Sequence, residues 1–137
     1  MLDPSNRVLL FQYARPTGET YWATPGGGLE RGENFSDAAA REALEELGLK
    51  SPGLAVLHDQ ARSFHLGERP IHQEERLFLT RDAVPEFDES VREVHRREGV
   101  LQTRWWSLGD IASTGESIFP EDLATILRAV VTSGNAK

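Results

Sequence analysis

Residues 27–49 decide the fold of this chain, and they read GGLERGENFSDAAAREALEELGL. A glycine-rich turn at the start of this stretch runs into a segment whose apolar residues recur at the i, i+3, i+4 and i+7 spacing of a helix. These apolar residues are Ala40, Ala43, Leu44 and Leu47. At about 100° per residue, three glutamates on the other side fall within an arc of roughly 100°. They are Glu42, Glu45 and Glu46. The pattern predicts a helix with one buried face and one acidic face.

The two ends of this helix are also marked in the sequence. Asn34 or Ser36 can accept a hydrogen bond from a backbone N–H of the first turn, and Asp37 suits the positive end of the helix dipole. Gly48 stands where a left-handed C-terminal cap is favoured. We therefore predict that the helix covers residues 35–47.

The acidic face requires an explanation, because carboxylates one turn apart repel each other. Each such pair costs an isolated helix about 0.2–0.5 kcal/mol, and clustering raises carboxyl pKa values when no cation is near. Mg²⁺ offsets the repulsion, because it takes oxygen ligands and keeps waters that phosphate oxygens can replace. In the preceding loop, the missing side chains of Gly26 and Gly27 let backbone groups approach a metal or a phosphate closely. The stretch thus predicts a divalent-metal site beside this loop.

The same stretch resembles the Nudix box, whose pattern is G-x5-E-x7-R-E-U-x-E-E-x-G-U, where U is an apolar residue. The matching residues are Gly27, Glu33, Arg41, Glu42, Glu45, Glu46 and Gly48. An acidic amphipathic helix alone is typical of a solvated surface helix. At about 7% per residue type, however, seven specified residues at fixed spacing arise by chance at on the order of one in 10⁸ per starting position. Ala43 fills one apolar slot with a small side chain.

The resemblance implies both a fold and an activity. Nudix enzymes hydrolyse a nucleoside diphosphate linked to another group, and their fold is α/β, a Nudix-type α/β/α sandwich with a mixed β-sheet between helices. We expect one such domain over residues 1–137. The implied cofactor is Mg²⁺, for which Mn²⁺ can substitute. The implied metal ligands are the carboxylates of Glu42, Glu45 and Glu46 and the backbone carbonyl of Gly27.

The resemblance also assigns catalytic roles within the box. The implied reaction is attack of a metal-activated water on a phosphorus of a pyrophosphate bridge. Glu42 or Glu45 is then placed to assist the water, and Arg41 to orient carboxylates through charge-assisted hydrogen bonds. Glu33 is expected to fix the loop to the helix rather than to act in catalysis.

Two further site residues lie outside the box. Some Nudix enzymes take a general base or an extra ligand from a distant glutamate, and Glu98, in the predicted loop before the double tryptophan, is the preferred candidate. Glu74 and Glu93 are weaker candidates for the same role. The alternative for Glu98 is that it is an exposed loop residue without a catalytic role. Arg15, after the first predicted strand, is a candidate for contact with a substrate phosphate.

Composition limits the classes of protein to consider. A chain of 137 residues with 39% apolar residues suits one globular domain with a real core. Its formal charge of −7 argues against general nucleic-acid binding, whereas the resemblance implies a small nucleotide substrate as the partner. The absence of cysteine excludes disulfides and thiolate zinc sites. The sequence shows no apolar run of membrane-spanning length and no secretory signal, so we expect a cytoplasmic protein without a membrane partner.

Apolar runs separated by turn residues predict strands interleaved with helices. The predicted strands lie at residues 8–11, 21–24, 54–57, 62–64, 75–80 and 104–106. The mostly charged residues 82–98 predict a mobile loop or a short helix, and residues 108–111 a helical turn. Pro120 at a first helical position predicts a final helix, with Ile118 or Phe119 in its buried stripe. The N-terminus is shorter than is common in the family, so a homodimer that completes the first sheet edge is plausible.

The remaining candidate residues have ordinary explanations. The four histidines lack metal-ligand spacing, which favours structural or surface roles. Strand aromatics such as Trp22 are more often core than stacked on a base, and alternation places Trp105 and Trp106 on opposite faces.

Two other functions stay open at this point. One is a non-catalytic Nudix domain that senses ADP-ribose or a nucleotide sugar, and the other is a globular protein whose acidic helix has no chemistry. The complete set of helix glutamates beside Arg41 favours the enzyme. Family subgroups carry a proline or a tyrosine at a fixed distance beyond the box, where this chain has His65 and Leu66. Nucleoside triphosphates, including oxidised ones, are therefore the default substrates.

Overall fold

Strands and helices alternate along the computed structural model, which describes residues 1–26, 29–50, 52–81 and 84–135. The strands are β1 (Val8–Ala14), β2 (Thr20–Ala23), β3 (Ala55–Leu66), β4 (Arg69–Leu79), β5 (Gln102–Trp106) and β6 (Ser117–Phe119). The helices are α1 (Phe35–Leu47), α2 (Glu89–Glu98), α3 (Leu108–Ser113) and α4 (Leu123–Asn135). Within the described ranges, no helix is long and apolar enough to cross a membrane.

A mixed sheet of strand order β5-β1-β2-β6 forms the middle of the molecule. β1 runs antiparallel to both β5 and β2, with Phe11 opposite Thr103 on one side and Ala23 on the other. β6 runs parallel to β2 and pairs Ile118 with Trp22. β1 is thus a central strand, which explains why its first residues read as a continuous apolar run.

Both faces of β1 are covered by helices. Leu9 and Phe11 pack with Ala43 and Leu47 of α1 on one face. Val8 and Leu10, which alternate with them, pack on the other face against residues of α3 and α4. The members from α3 and α4 are Ile111, Leu123 and Leu127. The predicted α/β/α sandwich with a mixed sheet between helices is therefore confirmed.

The two neighbouring tryptophans of β5 follow the predicted alternation. Trp106 is buried with Trp22, their rings 5.2 Å apart. Trp105 packs on the opposite face, against the cluster that contains Leu9. Since both faces of the sheet are covered, each of the two side chains finds a packed environment.

A long hairpin, β3 with β4, forms the second sheet. Its register runs from Ala55 opposite Leu79 to Leu66 opposite Arg69, with one irregularity between Val56 and His58. The strand segments predicted separately at residues 54–57 and 62–64 therefore belong to one strand.

Leu2 connects this hairpin to the central sheet. It bridges Val8 in antiparallel and Arg81 in parallel fashion, and its N–H donates to the Thr80 carbonyl at 3.0 Å. Leu2 itself is 1% exposed. The edge of β1 near the N-terminus is thus paired within the same chain.

The C-terminal region differs from the sequence prediction. The final helix begins at Leu123 and not at Pro120, whose carbonyl accepts a hydrogen bond from the Leu123 N–H at 3.0 Å. Ile118 and Phe119 lie in strand β6 and not in the buried stripe of a helix. The prediction was wrong there because a short strand beside β2 buries the same apolar side chains that a helix would have buried.

The charged segment before β5 contains a regular helix. Asp82 and Ala83 lie outside the described residues, and α2 then covers Glu89–Glu98. Asp88 caps this helix by accepting a hydrogen bond from the Val91 N–H at 2.9 Å. A short helix was one of the two predicted outcomes, and Glu98 is its last residue rather than part of a loop.

Candidate active site

Helix α1 begins and ends as its sequence predicts. The Asn34 side chain accepts a hydrogen bond from the Asp37 N–H at 2.8 Å. Gly48 adopts a left-handed conformation with φ 67°, and its N–H donates to the Leu44 carbonyl at 3.1 Å. These caps set where the helix begins and where it ends.

Arg41 is the centre of an ion-pair network at the start of the site. Its guanidinium makes two hydrogen bonds to Glu33, at 2.8 and 2.9 Å. Nη1 also donates to Glu42 at 3.0 Å and to Glu45 at 3.3 Å. The hydrogen bonds from Arg41 lower the pKa of Glu33 to about 2, and Glu33 in turn raises the pKa of Arg41.

Glu33 also ties the preceding loop to this network. Its Oε1 accepts a hydrogen bond from the Glu30 N–H at 2.9 Å. The side chain therefore joins loop and helix, as the sequence predicts for it.

Glu46 is buried, with 2% of its surface exposed. Its Oε2 is fully buried and has no hydrogen-bond partner within the described part of the chain. Burial raises the pKa of Glu46 to about 8, with further contributions from Glu42, while a backbone hydrogen bond from Gly26 acts in the opposite direction. A buried carboxylate oxygen without a partner is costly, and a bound cation removes that cost.

Glu42 lies one turn before Glu46, and its negative charge contributes to the raised pKa of Glu46. Burial raises the pKa of Glu42, and the positive charge of Arg41 partly offsets this. Two carboxylates this close repel each other, and either a proton or a bound cation relieves the repulsion. The two side chains thus form a pair that is ready to exchange a proton for a cation.

A cavity of about 1160 Å³ lies beside this pair. Glu42, Glu46 and Gly26 form one part of its wall. Another part consists of residues that follow β1, lie in β2 and lie in β6, and these are Arg15, Tyr21 and Phe119. The hairpin contributes further wall residues, which include Glu74 and Arg76. The buried carboxylates therefore face a space large enough for a nucleotide.

Arg15 lies over two aromatic rings of the cavity wall. Its guanidinium carbon is 5.0 Å from the centre of the Tyr21 ring and 5.5 Å from that of Phe119. Tyr21 also stacks on Tyr13, with ring centres 5.6 Å apart. The sequence pointed to Arg15 as a site residue, but neither aromatic ring was predicted to line the site. Tyr21 could have been found, because strand alternation places it opposite the buried Trp22.

The predicted site residues do not all come together. Glu45 is 38% exposed in its side chain and lies against Arg41. Glu98 is exposed at the end of α2, although its charge is among those that raise the pKa of Glu46. Across the described ranges, no group of three or more histidine, aspartate or glutamate side chains is placed to hold one metal ion. Gly27 lies outside the described residues.

The alternative general bases are placed less favourably. Glu93 is exposed and pairs with Arg96 at 2.7 Å. Glu74 lines the cavity from the hairpin and lies 3.8 Å from His72.

One histidine contacts the site through the backbone. His95 Nε2 donates to the Glu46 carbonyl at 2.7 Å, a contact that no sequence spacing indicates. His58 Nε2 lies 3.8 Å from Asp122 Oδ2, and His72 Nδ1 forms a hydrogen bond with the Ser63 hydroxyl at 3.2 Å.

Comparison with known proteins identifies the family. The sequence model of the NUDIX domain matches residues 1–128. This chain belongs to the Nudix family. An RNA pyrophosphohydrolase of Psychrobacter cryohalolentis is 30% identical over an alignment of 131 residues, which covers 84% of this chain and 75% of that protein. The predicted class of enzyme, a Nudix hydrolase of phosphoric anhydride bonds, is confirmed.

Solved structures show the same fold. The NUDIX domain of NrtR from Shewanella oneidensis, complexed with ADP-ribose, matches with a TM-score of 0.63 at 16% identity, over 91% of this chain and 77% of that one. The Ap4A hydrolase of C. elegans matches with a TM-score of 0.55 at 19% identity, over 96% and 88% of the two chains. At identities of 16% and 19%, these similarities show a shared fold and do not show a shared substrate.

The residues of this site fit the divalent metal that the family implies. The fit rests on the unpartnered, buried Oε2 of Glu46 beside a second carboxylate, Glu42. Both offer only oxygen ligands, which Mg²⁺ and Mn²⁺ prefer. A third carboxylate, Glu45, lies one helical turn from Arg41 and can exchange this partner for the metal.

Proposed function

We propose that this chain is a Mg²⁺-dependent Nudix pyrophosphohydrolase that cleaves the diphosphate linkage of a nucleotide, in one domain over residues 1–137. The buried, unpartnered Oε2 of Glu46 carries the proposal. A protein without a cation at this position would retain a costly buried oxygen in the last turn of α1. Mn²⁺ is the expected substitute metal.

The proposed ligands are the carboxylates of Glu42, Glu45 and Glu46, and, by family resemblance, the backbone carbonyl of Gly27. Bound there, the metal supplies positive charge for phosphate oxygens and lowers the pKa of water. Arg41 keeps the carboxylates apart and oriented through its hydrogen bonds to Glu42 and Glu45.

Substrate binding and proton transfer involve some of these ligands together with further residues of the chain. Gly26 lines the cavity, and by family resemblance Gly26 and Gly27 are the proposed backbone contacts of the phosphates, while Arg15 supplies a cation on the cavity wall. Glu42, Glu45 and Glu98 are the proposed proton acceptors, since each contributes charge near the metal-binding end of α1. The attacking water would lose a proton to one of these carboxylates, and its oxygen would form a bond to a phosphorus of the anhydride. The bridging phosphorus–oxygen bond would break, and the other phosphate group would leave with the bridging oxygen.

The aromatic wall supports a nucleotide as the substrate. Tyr21 and Phe119 offer ring surface beside the Arg15 cation, and nucleobases stack on such rings. The base and the phosphates can therefore be held by different parts of one cavity.

The test is a hydrolysis screen with and without Mg²⁺. The panel contains nucleoside triphosphates including oxidised ones, ADP-ribose, nucleotide sugars and dinucleoside polyphosphates. A short RNA with a 5′-triphosphate is added because relatives are named RNA pyrophosphohydrolases. We expect Mg²⁺-dependent release of phosphate, pyrophosphate or a monophosphate from at least one compound.

Glu46→Gln provides the decisive variant, with Glu89→Gln as the control. Glu89 is an exposed glutamate whose side chain pairs with Arg96 on α2. We expect Glu46→Gln to lose Mg²⁺-dependent turnover while it remains folded, and Glu89→Gln to keep it. Binding of ADP-ribose or a nucleotide sugar without any turnover would instead support a sensor, and full activity of Glu46→Gln would remove the proposed ligand set.

A further inference from the structure

The C-terminal turn of α1 is closed by a different segment of the chain. The last carbonyl groups of a helix have no partner within it, and residues before and within α2 supply partners here. The Glu86 N–H donates to the Leu47 carbonyl at 2.9 Å, and His95 Nε2 donates to the Glu46 carbonyl at 2.7 Å. A carbonyl oxygen only accepts hydrogen bonds, so the Nε2 atom of His95 carries the proton.

The His95 ring is held on two sides by aromatic side chains. Its centre is 4.9 Å from that of Phe11 in β1 and 5.2 Å from that of Phe87 before α2. Both contacts are edge-to-face, with interplanar angles of 62° and 66°. The packing fixes the ring plane, and the Nε2–H therefore points in one defined direction.

His95 also stands close to Glu98 on the same helix. Residues three positions apart lie on the same side of a helix, so Glu98 is on the side of α2 that faces α1. The charge of Glu98 acts on the Glu46 carboxylate across the gap between the helices. His95 is therefore the contact that connects the turn bearing Glu46 to the turn bearing Glu98.

We propose that His95 is a positioning residue, whose hydrogen bond to the Glu46 backbone fixes the Glu46 carboxylate relative to Glu98. This inference rests on the proposed function, because it assumes that Glu46 holds the metal. Partners that orient metal ligands from behind typically change metal affinity or activity by about 10–100-fold when they are removed.

The test compares His95→Phe with His95→Gln. Phenylalanine keeps the ring contacts to Phe11 and Phe87 and removes the donor, whereas glutamine restores an N–H donor without the ring. The matched control is Asn34→Ala, which weakens the same helix at its other end and leaves the Glu46 turn unchanged. The readouts are kcat and KM for the substrate found in the screen, and Mn²⁺ affinity by calorimetry without substrate.

For His95→Phe we expect a fall in kcat and in Mn²⁺ affinity of about tenfold or more, with KM changed by less than about twofold. His95→Gln should recover most of the loss in kcat and in Mn²⁺ affinity. Asn34→Ala should keep the wild-type kcat and Mn²⁺ affinity, even if its melting temperature falls as much as that of His95→Phe. Wild-type Mn²⁺ affinity in His95→Phe, or an equal loss in Asn34→Ala, would overturn the proposal. If the wild-type protein hydrolyses nothing, the proposed function fails, and Mn²⁺ affinity still decides the role of His95.

Discussion

At Glu46, the proposed metal ligand, the requirements of metal binding and of stability are opposed. Its carboxylate is buried with one unpartnered oxygen, and its pKa of about 8 is well above the usual 4.5. Because the pKa of Glu46 is higher in the folded than in the unfolded protein, its contribution to stability is fully present below the unfolded pKa of 4.5. That contribution is lost as the pH rises toward the folded-state pKa of about 8. The metal-free protein therefore loses stability above the unfolded pKa, because buried Glu46 must hold a proton that the unfolded chain releases.

We expect Glu46→Gln to stabilise the metal-free protein at neutral pH, by roughly 1–3 kcal/mol in the free energy of unfolding. The gain should grow from about pH 5 to about pH 8, because only the wild-type residue must keep or lose a proton in this range. The measurement is urea unfolding with a chelator present. Glu89→Gln should change the unfolding free energy little, and a destabilised Glu46→Gln protein would contradict this account.

At the residue scale, the ion pairs around Arg41 were predictable from the sequence, whereas the burial of the individual glutamates was not. The fixed spacing around residues 27–49 identified Glu33 as a connector and Arg41 as the partner of the carboxylates, and the hydrogen bonds agree. The helical pattern placed Glu45 and Glu46 on one face alike. Only the loop at Gly26 and the packing around the helix make Glu46 buried and Glu45 partly exposed, and neither follows from the spacing of the helix itself.

At the element scale, α1 and α2 end in the same way but in different surroundings. Gly48 and Gly99 both adopt left-handed conformations, with φ 67° and 81°. A Cβ atom at Gly48 would lie 2.3 Å from the Glu86 carbonyl oxygen, whereas one at Gly99 would meet nothing within 4 Å. A side chain at Gly99 would therefore add only backbone strain, whereas one at Gly48 would add the same strain and a steric clash with Glu86.

We expect Gly99→Ala to cost about 1–2 kcal/mol, the usual penalty for a left-handed residue with a side chain. Gly48→Ala should cost roughly 1–3 kcal/mol more, because the backbone of Glu86 must move. Thermal unfolding of the two variants beside wild type measures the difference. Equal losses would show that the close approach of Glu86 carries no energetic weight.

The start of α2 provides a prediction with the opposite dependence on pH. Hydrogen bonds from the Val91 backbone and the Ser90 side chain lower the pKa of Asp88. A lowered pKa means that this stabilisation is present above the unfolded value of 3.8 and is lost as pH falls through the folded value.

Asp88→Asn keeps a side chain that can cap the helix and removes its titration. We therefore expect the wild-type protein to lose stability faster than Asp88→Asn between about pH 5 and about pH 3. Urea midpoints across this range provide the measurement. Parallel curves for the two proteins would show that the cap hydrogen bonds do not depend on the Asp88 charge.

Elements with local signals were predictable, and those that depend on a partner were not. Helix α1 has a cap at Asn34 and a stop at Gly48, and both are readable from the sequence. Its predicted apolar face was only half right, because Ala43 and Leu47 are buried whereas Ala40 and Leu44 are exposed. Strand β6 has only three residues, and it exists because β2 pairs with it. The same apolar residues fit the first turn of a helix, so the pattern around Phe119 was ambiguous.

At the scale of the whole molecule, metal binding and folding should be coupled. A cation that binds only the native site raises the unfolding free energy by RT ln(1 + [L]/Kd), or about 2.7 kcal/mol at 100 times Kd. We therefore expect Mg²⁺ or Mn²⁺ to raise the melting temperature by several degrees, and NaCl at equal ionic strength to do so much less. Glu46→Gln should lose the metal-dependent shift. A shift of equal size in that variant would place the cation elsewhere.

The general architecture was predictable, whereas the cavity was not. Alternation of strands with two main helices, together with the box, predicted the sandwich. The cavity depends on how the hairpin of β3 and β4 lies beside α1, through contacts such as the Arg76 guanidinium 5.2 Å from the Phe35 ring. Such contacts join residues far apart in the chain, and no local pattern encodes them.

Glu46 serves the protein through two chemically separate groups. Its carboxylate faces the cavity, while its backbone carbonyl accepts the hydrogen bond that ties α1 to α2. A codon change replaces the first group and leaves the second in place. A substitution of Glu46 can therefore change the proposed metal site while the two helices stay joined.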